Sequence, residues 1–156
     1  MDARLDYNDS KTLQKFVKHI NSAGAAVTSA LPPATANLVL TRASQINGCA
    51  VCLDMHTKDA EQAGETSLRL NLVAAWRDAK VFTDAERAAL EVTEQGTRIA
   101  DGAGGVTDEA WANAAKYYDS EQLAALVCTI AVINAYNRLN VISRNQGGDY
   151  QPGQWG

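Results

Sequence analysis

SEQLAALVCTIAVINAYNRLNVIS, residues 120–143, has the length and pattern of one long helix. Leu123, Leu126, Val127, Ile130 and Ile133 recur at steps of three and four, and Ser120 is a suitable capping residue for its start. Other apolar side chains spread around the same helix, which predicts burial on several sides, part of it against further copies of the chain.

The rest of the sequence reads in the same way. From Lys11 to about Ser29 the positions Leu13, Phe16, Val17, Ile20, Ala23 and Val27 form one face of an amphipathic helix, which Pro32-Pro33 stops. A second helix is predicted from about Ala34 to Gln45 and breaks at Asn47-Gly48; a third runs from about Gly48 to Ala63, with Gly64 at the left-handed terminating position. Leu68, Leu72, Val73 and Trp76 predict a buried helix over 67–76. Thr83-Asp84-Ala85-Glu86 has the form of a capping box, followed by the inward stripe Ala85, Ala88, Ala89, Val92 and Ile99. After a loop at Gly102, Gly104 and Gly105, Thr107 or Asp108 caps a helix carrying Trp111, Ala114 and Tyr118. No useful run of period-two alternation exists. The predicted fold is all-α: a single helical domain over 1–156 with about six to seven helices, a core at about 11–144 and a polar tail, 145–156, that is either mobile or docks.

The 156 residues suit one compact domain, and 46% hydrophobic with 21% charged residues is the composition of a globular protein. Three prolines and eleven glycines exclude a collagen-like or linker architecture. A net charge of -4 provides no basic field for phosphate, which argues against nucleic acid and an anionic membrane as partners. Met1 to Asp6 lacks the apolar stretch of a secretory signal, and no window is expected to reach the roughly 18 apolar residues of a membrane span, so the expected location is cytoplasmic. Three cysteines do not suit a secreted disulfide framework, and the close pair Cys49-Ala50-Val51-Cys52 points to redox chemistry or metal binding.

On a helix, Cys49, Cys52 and His56 fall within an arc of roughly 60°. The pair sits in the first turns, where free backbone donors and the positive dipole end favour a thiolate, and His56 lies one turn beyond Cys52. A stabilised thiolate, an adjacent base and a second thiol are what a reversible two-electron thiol cycle requires. Zinc is disfavoured, because these three ligands lie on one helix whereas structural zinc sites draw four from separate turns. Cys128 reads as a buried small hydrophobe, His19 as a solvated-face residue, and Trp76 and Trp111 as core or interface anchors.

The run Arg42-Ala43-Ser44-Gln45-Ile46-Asn47-Gly48-Cys49-Ala50-Val51-Cys52-Leu53-Asp54-Met55-His56-Thr57 resembles the signature of alkyl hydroperoxidase D-like proteins of the carboxymuconolactone decarboxylase superfamily. The likeness continues through Ala74-Ala75-Trp76-Arg77, Phe82 to Arg87 and Ile133 to Leu139. It implies a helical fold that assembles as a homo-oligomer, trimer or hexamer, and a peroxidase that needs no metal or organic cofactor. It places the peroxide-attacking sulfur at Cys52, its proton partner at His56 and the resolving sulfur at Cys49; the dipole argument by itself favours Cys49 as the attacking sulfur. The implied partners are a hydroperoxide substrate and an external dithiol, for which a lipoyl-bearing protein is the family's candidate.

Two positions depart from that pattern. The relay glutamate twelve residues before the first cysteine is Asn37 here, and the histidine before the second cysteine is Val51. Asn37 cannot take a proton, which leaves His56, expected to have an ordinary pKa, as the nearby base. The competing reading is a catalytically weak or inactive helical oligomer that acts as a redox sensor or a structural protein.

Overall fold

The computed structural model of the chain describes residues 2–27, 30–102 and 104–154, and among them are seven α-helices, one 3₁₀ turn and no strand. The helices are α1 (Lys11–Val27), α2 (Pro33–Asn47), α3 (Ala50–Gln62), α4 (Ser67–Leu72), α5 (Asp84–Thr97), α6 (Asp108–Ala114) and α7 (Ser120–Ser143); the 3₁₀ turn, Val73–Ala75, continues α4. The expected end of the first helix at Ser29 lies outside the described residues.

Local chemistry explains most of the boundaries. Pro33 opens α2 at a position where its missing N–H costs nothing, and Gly48, at φ 66°, closes it by donating its N–H to the Gln45 and Ser44 carbonyls. Thr83 and Glu86 form the capping box of α5, and Thr107 caps α6. The cap of α7 is Asp119 rather than Ser120: Asp119 and Gln122 form a capping box, since the carboxylate reaches the third backbone donor while Ser120 is already helical. The 67–76 segment is not one helix, because its second half tightens into the 3₁₀ turn before Trp76.

α7 is the spine. It packs on α1, α2, α3 and α5. One part of the core joins Val39 of α2, Ala88, Ala89 and Val92 of α5, and Leu123, Leu126 and Ile130 of α7. A second joins Leu38, Val73, Trp76, Phe82 and Leu90, and a third joins Ala43, Cys49, Cys52 and Ile133. By length and mean hydropathy, 1.4 over its most apolar window, α7 could also cross a membrane, contrary to the sequence expectation. A core helix passes the same test, and Leu123, Leu126, Ile130 and Ile133 of α7 are buried inside the protein.

Four expectations of burial are corrected, the first at Leu68, which is exposed on α4. Val127 and Ile99 are exposed, because α7 turns Val127 outward and the chain leaves α5 before Ile99. Cys128 is exposed rather than buried. α1 has the expected apolar face but lies at the periphery: Leu13, Val17 and Ile20 are only half-buried, Phe16 is exposed, and no residue of α1 is fully buried.

At the far end of α7, Arg144 adopts a left-handed conformation, and Arg4 at the head of the chain donates to the carbonyls of Ile142 and Ser143. The chain then turns back over α3 as a docked strap.

Candidate active site

Gly48 reverses the chain so that α3 begins at Ala50, two residues later than expected, and Cys49 becomes its N-cap rather than its second residue. Its Sγ accepts the N–H of Cys52 at 3.3 Å, doing for α3 what a serine or aspartate oxygen does for other helices. Cys49 and Cys52 are joined as a disulfide, with a Cα separation of 5.4 Å. Both are enclosed, at 1% and 2% exposure, by Ala43 and Ile133 with Leu40, Val51 and Tyr136 packed around them.

The polar wall of this site is built from amides. Asn140 of α7 donates to Cys52 Sγ at 3.5 Å and accepts from Asn145 at 2.9 Å. Asn47 donates to Asn134 at 3.0 Å and Asn137 at 2.9 Å; Asn137 donates to Ser44 Oγ at 3.1 Å, and Asn134 to Thr97 Oγ1 at 3.2 Å. Asn134, Asn137 and Asn140 form a stripe at steps of three on α7. Their spacing within an apolar helix was the available signal, and the residue-by-residue reading missed it.

His56 keeps some exposure as a residue, but its Nε2 is enclosed and makes no hydrogen bond. Burial drives its pKa down to about 4, and the nearby Asp59 carboxylate only partly opposes this. The expectation of an ordinary pKa is therefore corrected: the imidazole is neutral near pH 7. Asn37, on α2, is half-buried and makes no side-chain hydrogen bond to the described residues; Ser44 and Asn47 of α2 bond into the amide wall.

The strap completes the site from outside. Asp54 accepts the N–H groups of Gly148 at 2.6 Å and Tyr150 at 3.0 Å and pairs with Lys58 at 2.6 Å. Lys58, then Tyr150, hold its carboxyl down to about 2. Lys58 also donates to the Gly148 and Tyr150 carbonyls, and the Tyr150 hydroxyl donates to Asp59 at 2.9 Å. Tyr150 is buried, so of the two alternatives for the tail the structure selects docking. Gly147 crosses directly over the Ala50 carbonyl, where no side chain fits.

A second polar cluster braces α2 against α5. Glu94 receives Trp76 Nε1 at 3.0 Å, Arg42 at 2.5 Å and Arg77. Burial would raise its carboxyl, but the hydrogen bonds from Arg77, Trp76 and Arg42 hold it below the usual range. Glu86 is held down likewise, chiefly by Arg69 against its burial. Both glutamates lie on the inward face of α5, each one turn from Leu90, where an acidic residue requires a partner. His19 is exposed on α1, Trp76 is buried, and Trp111 is 41% exposed. Among the described residues no three His, Cys, Asp or Glu side chains gather as a ligand set.

The pattern of the carboxymuconolactone decarboxylase family matches residues 11–95. The uncharacterized protein YdfG of Bacillus subtilis is 39% identical over 118 residues, 76% of this chain and 79% of that one. A crystallised protein of unknown function from Agrobacterium tumefaciens, proposed to be an antioxidant defence protein AhpD, matches at TM-score 0.86 and 31% identity over 96% of this chain and 100% of its own. The debrominase Bmp8, crystallised with 2,3,4-tribromopyrrole, shares the fold at TM-score 0.76 and 17% identity, over 91% of this chain and 74% of its own.

Proposed function

The chain belongs to the carboxymuconolactone decarboxylase family, and from that premise we propose that it is an alkyl hydroperoxidase D-like, thiol-dependent hydroperoxide reductase. The observation that carries the reading is the Cys49–Cys52 pair, within bonding distance at the start of α3 with His56 one turn on. In the proposed cycle, His56 accepts the Cys52 proton, and the thiolate attacks the terminal oxygen of the hydroperoxide. The O–O bond breaks, the alkoxide takes the proton and leaves as alcohol, and Cys52 becomes a sulfenic acid. Cys49 displaces the sulfenic oxygen as water and forms the disulfide, which an external dithiol reduces while becoming oxidised itself.

Each sulfur receives one N–H, Cys49 Sγ from the Cys52 backbone and Cys52 Sγ from Asn140, and a donor favours either thiolate; Cys52 is proposed as the attacking sulfur from the family likeness and from His56 one turn on. His56 is neutral and has a free lone pair to take the proton, although the burial that lowers its pKa also makes it a weaker base. Asn37 stands at the relay position without a proton-accepting group, so the cycle rests on His56 alone. A lipoyl-bearing protein as reductant and a cytoplasmic setting, which keeps thiols reduced, are proposed from the family likeness.

The enclosure of both sulfurs favours one competing reading, a redox-sensing pair that is oxidised once and does not turn over. Peroxide consumption with excess lipoic dithiol separates the two. Multiple turnovers are expected for the wild type and none for Cys52→Ser; equal rates for the two proteins would sink the mechanism, and a single stoichiometric oxidation would favour the sensor.

A further inference from the structure

α7 carries one face that the protomer leaves uncovered. Glu121, Ala124, Cys128, Ala131 and Arg138 are exposed and Ala135 is half-buried; these residues follow one another at steps of three, four, three, four and three. That is the spacing of a helix–helix seam, about 26 Å long at 1.5 Å per residue. Exposed Val127 and Ile142 flank it, and no charged residue occurs on α7 between Glu121 and Arg138. Apolar surface that a helix leaves outside its own protomer is surface for a partner.

The order of steps is the same from either end, and the stripe ends in opposite charges. An antiparallel second copy therefore sets Glu121 against Arg138 of the partner subunit and repeats that pairing by symmetry, with Ala124 facing Ala135 of the partner subunit and Cys128 facing Ala131 of the partner subunit. The four central side chains are small enough for the two helices to approach at the short end of the usual 8–10 Å. Among the described residues neither Glu121 nor Arg138 forms an ion pair; Arg138 donates only to Asn134 within its own helix. Beside the stripe runs an apolar groove of about 530 Å³ between α5, α6 and α7, bordered by Val92, Ile99, Trp111 and Val127, which widens the surface available to the second copy.

We propose that this face is the seam of a two-fold symmetric homodimer in which two α7 helices pack antiparallel with Glu121 and Arg138 as reciprocal ion pairs. The proposal is independent of the chemistry assigned to the cysteines. It also divides the assemblies implied by the family likeness, because a closed hexamer can contain two-fold pairs and an isolated trimer cannot.

The test is charge exchange in the full chain, read by light scattering and native mass spectrometry across nanomolar to micromolar concentrations. Glu121→Arg and Arg138→Glu each place like charges together twice, and each is expected to weaken dimerisation roughly tenfold or more. The double variant restores both pairs and with them the dimer. A maleimide is expected to label Cys128 more slowly in the wild-type dimer than in either single variant while Cys49 and Cys52 are held oxidised. Wild-type protein that stays monomeric at micromolar concentration, single variants that associate like wild type, or a double variant that fails to recover would each overturn the proposal.

Discussion

Gly147→Ala adds a single methyl group at the point where the strap crosses α3. Gly147 is not among the left-handed glycines, so the backbone itself admits alanine and only space opposes it. The new Cβ would press on the Ala50 carbonyl oxygen and lie 2.6 Å from its carbon and 2.9 Å from the Val51 nitrogen, all inside the 3.0 Å floor of real contacts. Those atoms are helix backbone and cannot rotate away, so the strap must move. Overpacking of this kind costs roughly 1–3 kcal/mol. Against it stand the hydrogen bonds of Asp54 and Lys58 to Gly148 and Tyr150 and the burial of Tyr150. If the strap holds, the cost is expressed as a lower melting temperature; if it releases, the cost is confined to local opening. In both cases the Gly148 and Tyr150 amides exchange with solvent faster, by about tenfold for each 1.4 kcal/mol. Amide exchange resolved by NMR, together with thermal unfolding, reads both. Unchanged exchange at these two amides with an unchanged melting temperature would refute the close approach on which the reasoning rests.

Two further outcomes follow from the ionisable groups. His56 is held at about pKa 4 in the fold and titrates near 6.5 when unfolded, so its depressed folded value makes stability present above 6.5 and lost as the pH falls toward 4. The loss is expected to reach about 2 kcal/mol by pH 5, a range in which the lowered carboxylates Glu86, Glu94 and Asp54 remain ionised; urea unfolding of oxidised wild type and His56→Gln at pH 7 and 5 should show the slope only in the former. Glu94→Gln leaves the enclosed Arg42 without its counter-charge and is expected to cost about 3 kcal/mol, the low end for a broken buried pair because Arg77 is half exposed; a loss below 1 kcal/mol in chemical denaturation would show that the cluster braces nothing.

The helices were legible because their signals are local. A capping box at Thr83, a proline pair at 32 and 33 and a glycine at 48 act within a few residues of where they stand. The cysteine pair was legible for the same reason, since one turn of helix brings the sulfurs together. What escaped the sequence reading depends on contacts across long separations. The amide wall couples Asn47 to positions some 90 residues away, and the docking of Tyr150 on Asp54 and Asp59 spans a similar distance. The depressed pKa of His56 comes from what surrounds it rather than from its place on the helix. Cys128 sits in a run that resembles its buried neighbours, and only the direction in which α7 faces its own chain leaves it outside.

The spine of the bundle is also the seventh of the seven described helices to be made. While a ribosome extends the chain, α2 and α5 emerge with Val39, Ala89 and Val92 still lacking the α7 side chains that cover them, and Cys49 and Cys52 still lacking Ile133. Closing α1 onto α7 joins parts of the chain more than a hundred residues apart, as the hydrogen bond from the Tyr136 hydroxyl to Asn21 shows, so the cost of ordering that loop falls only once α7 has emerged. A nascent chain stalled before residue 120 therefore exposes much of its future core and is a natural client for a chaperone, whereas the emergence of α7 covers that core in a single step.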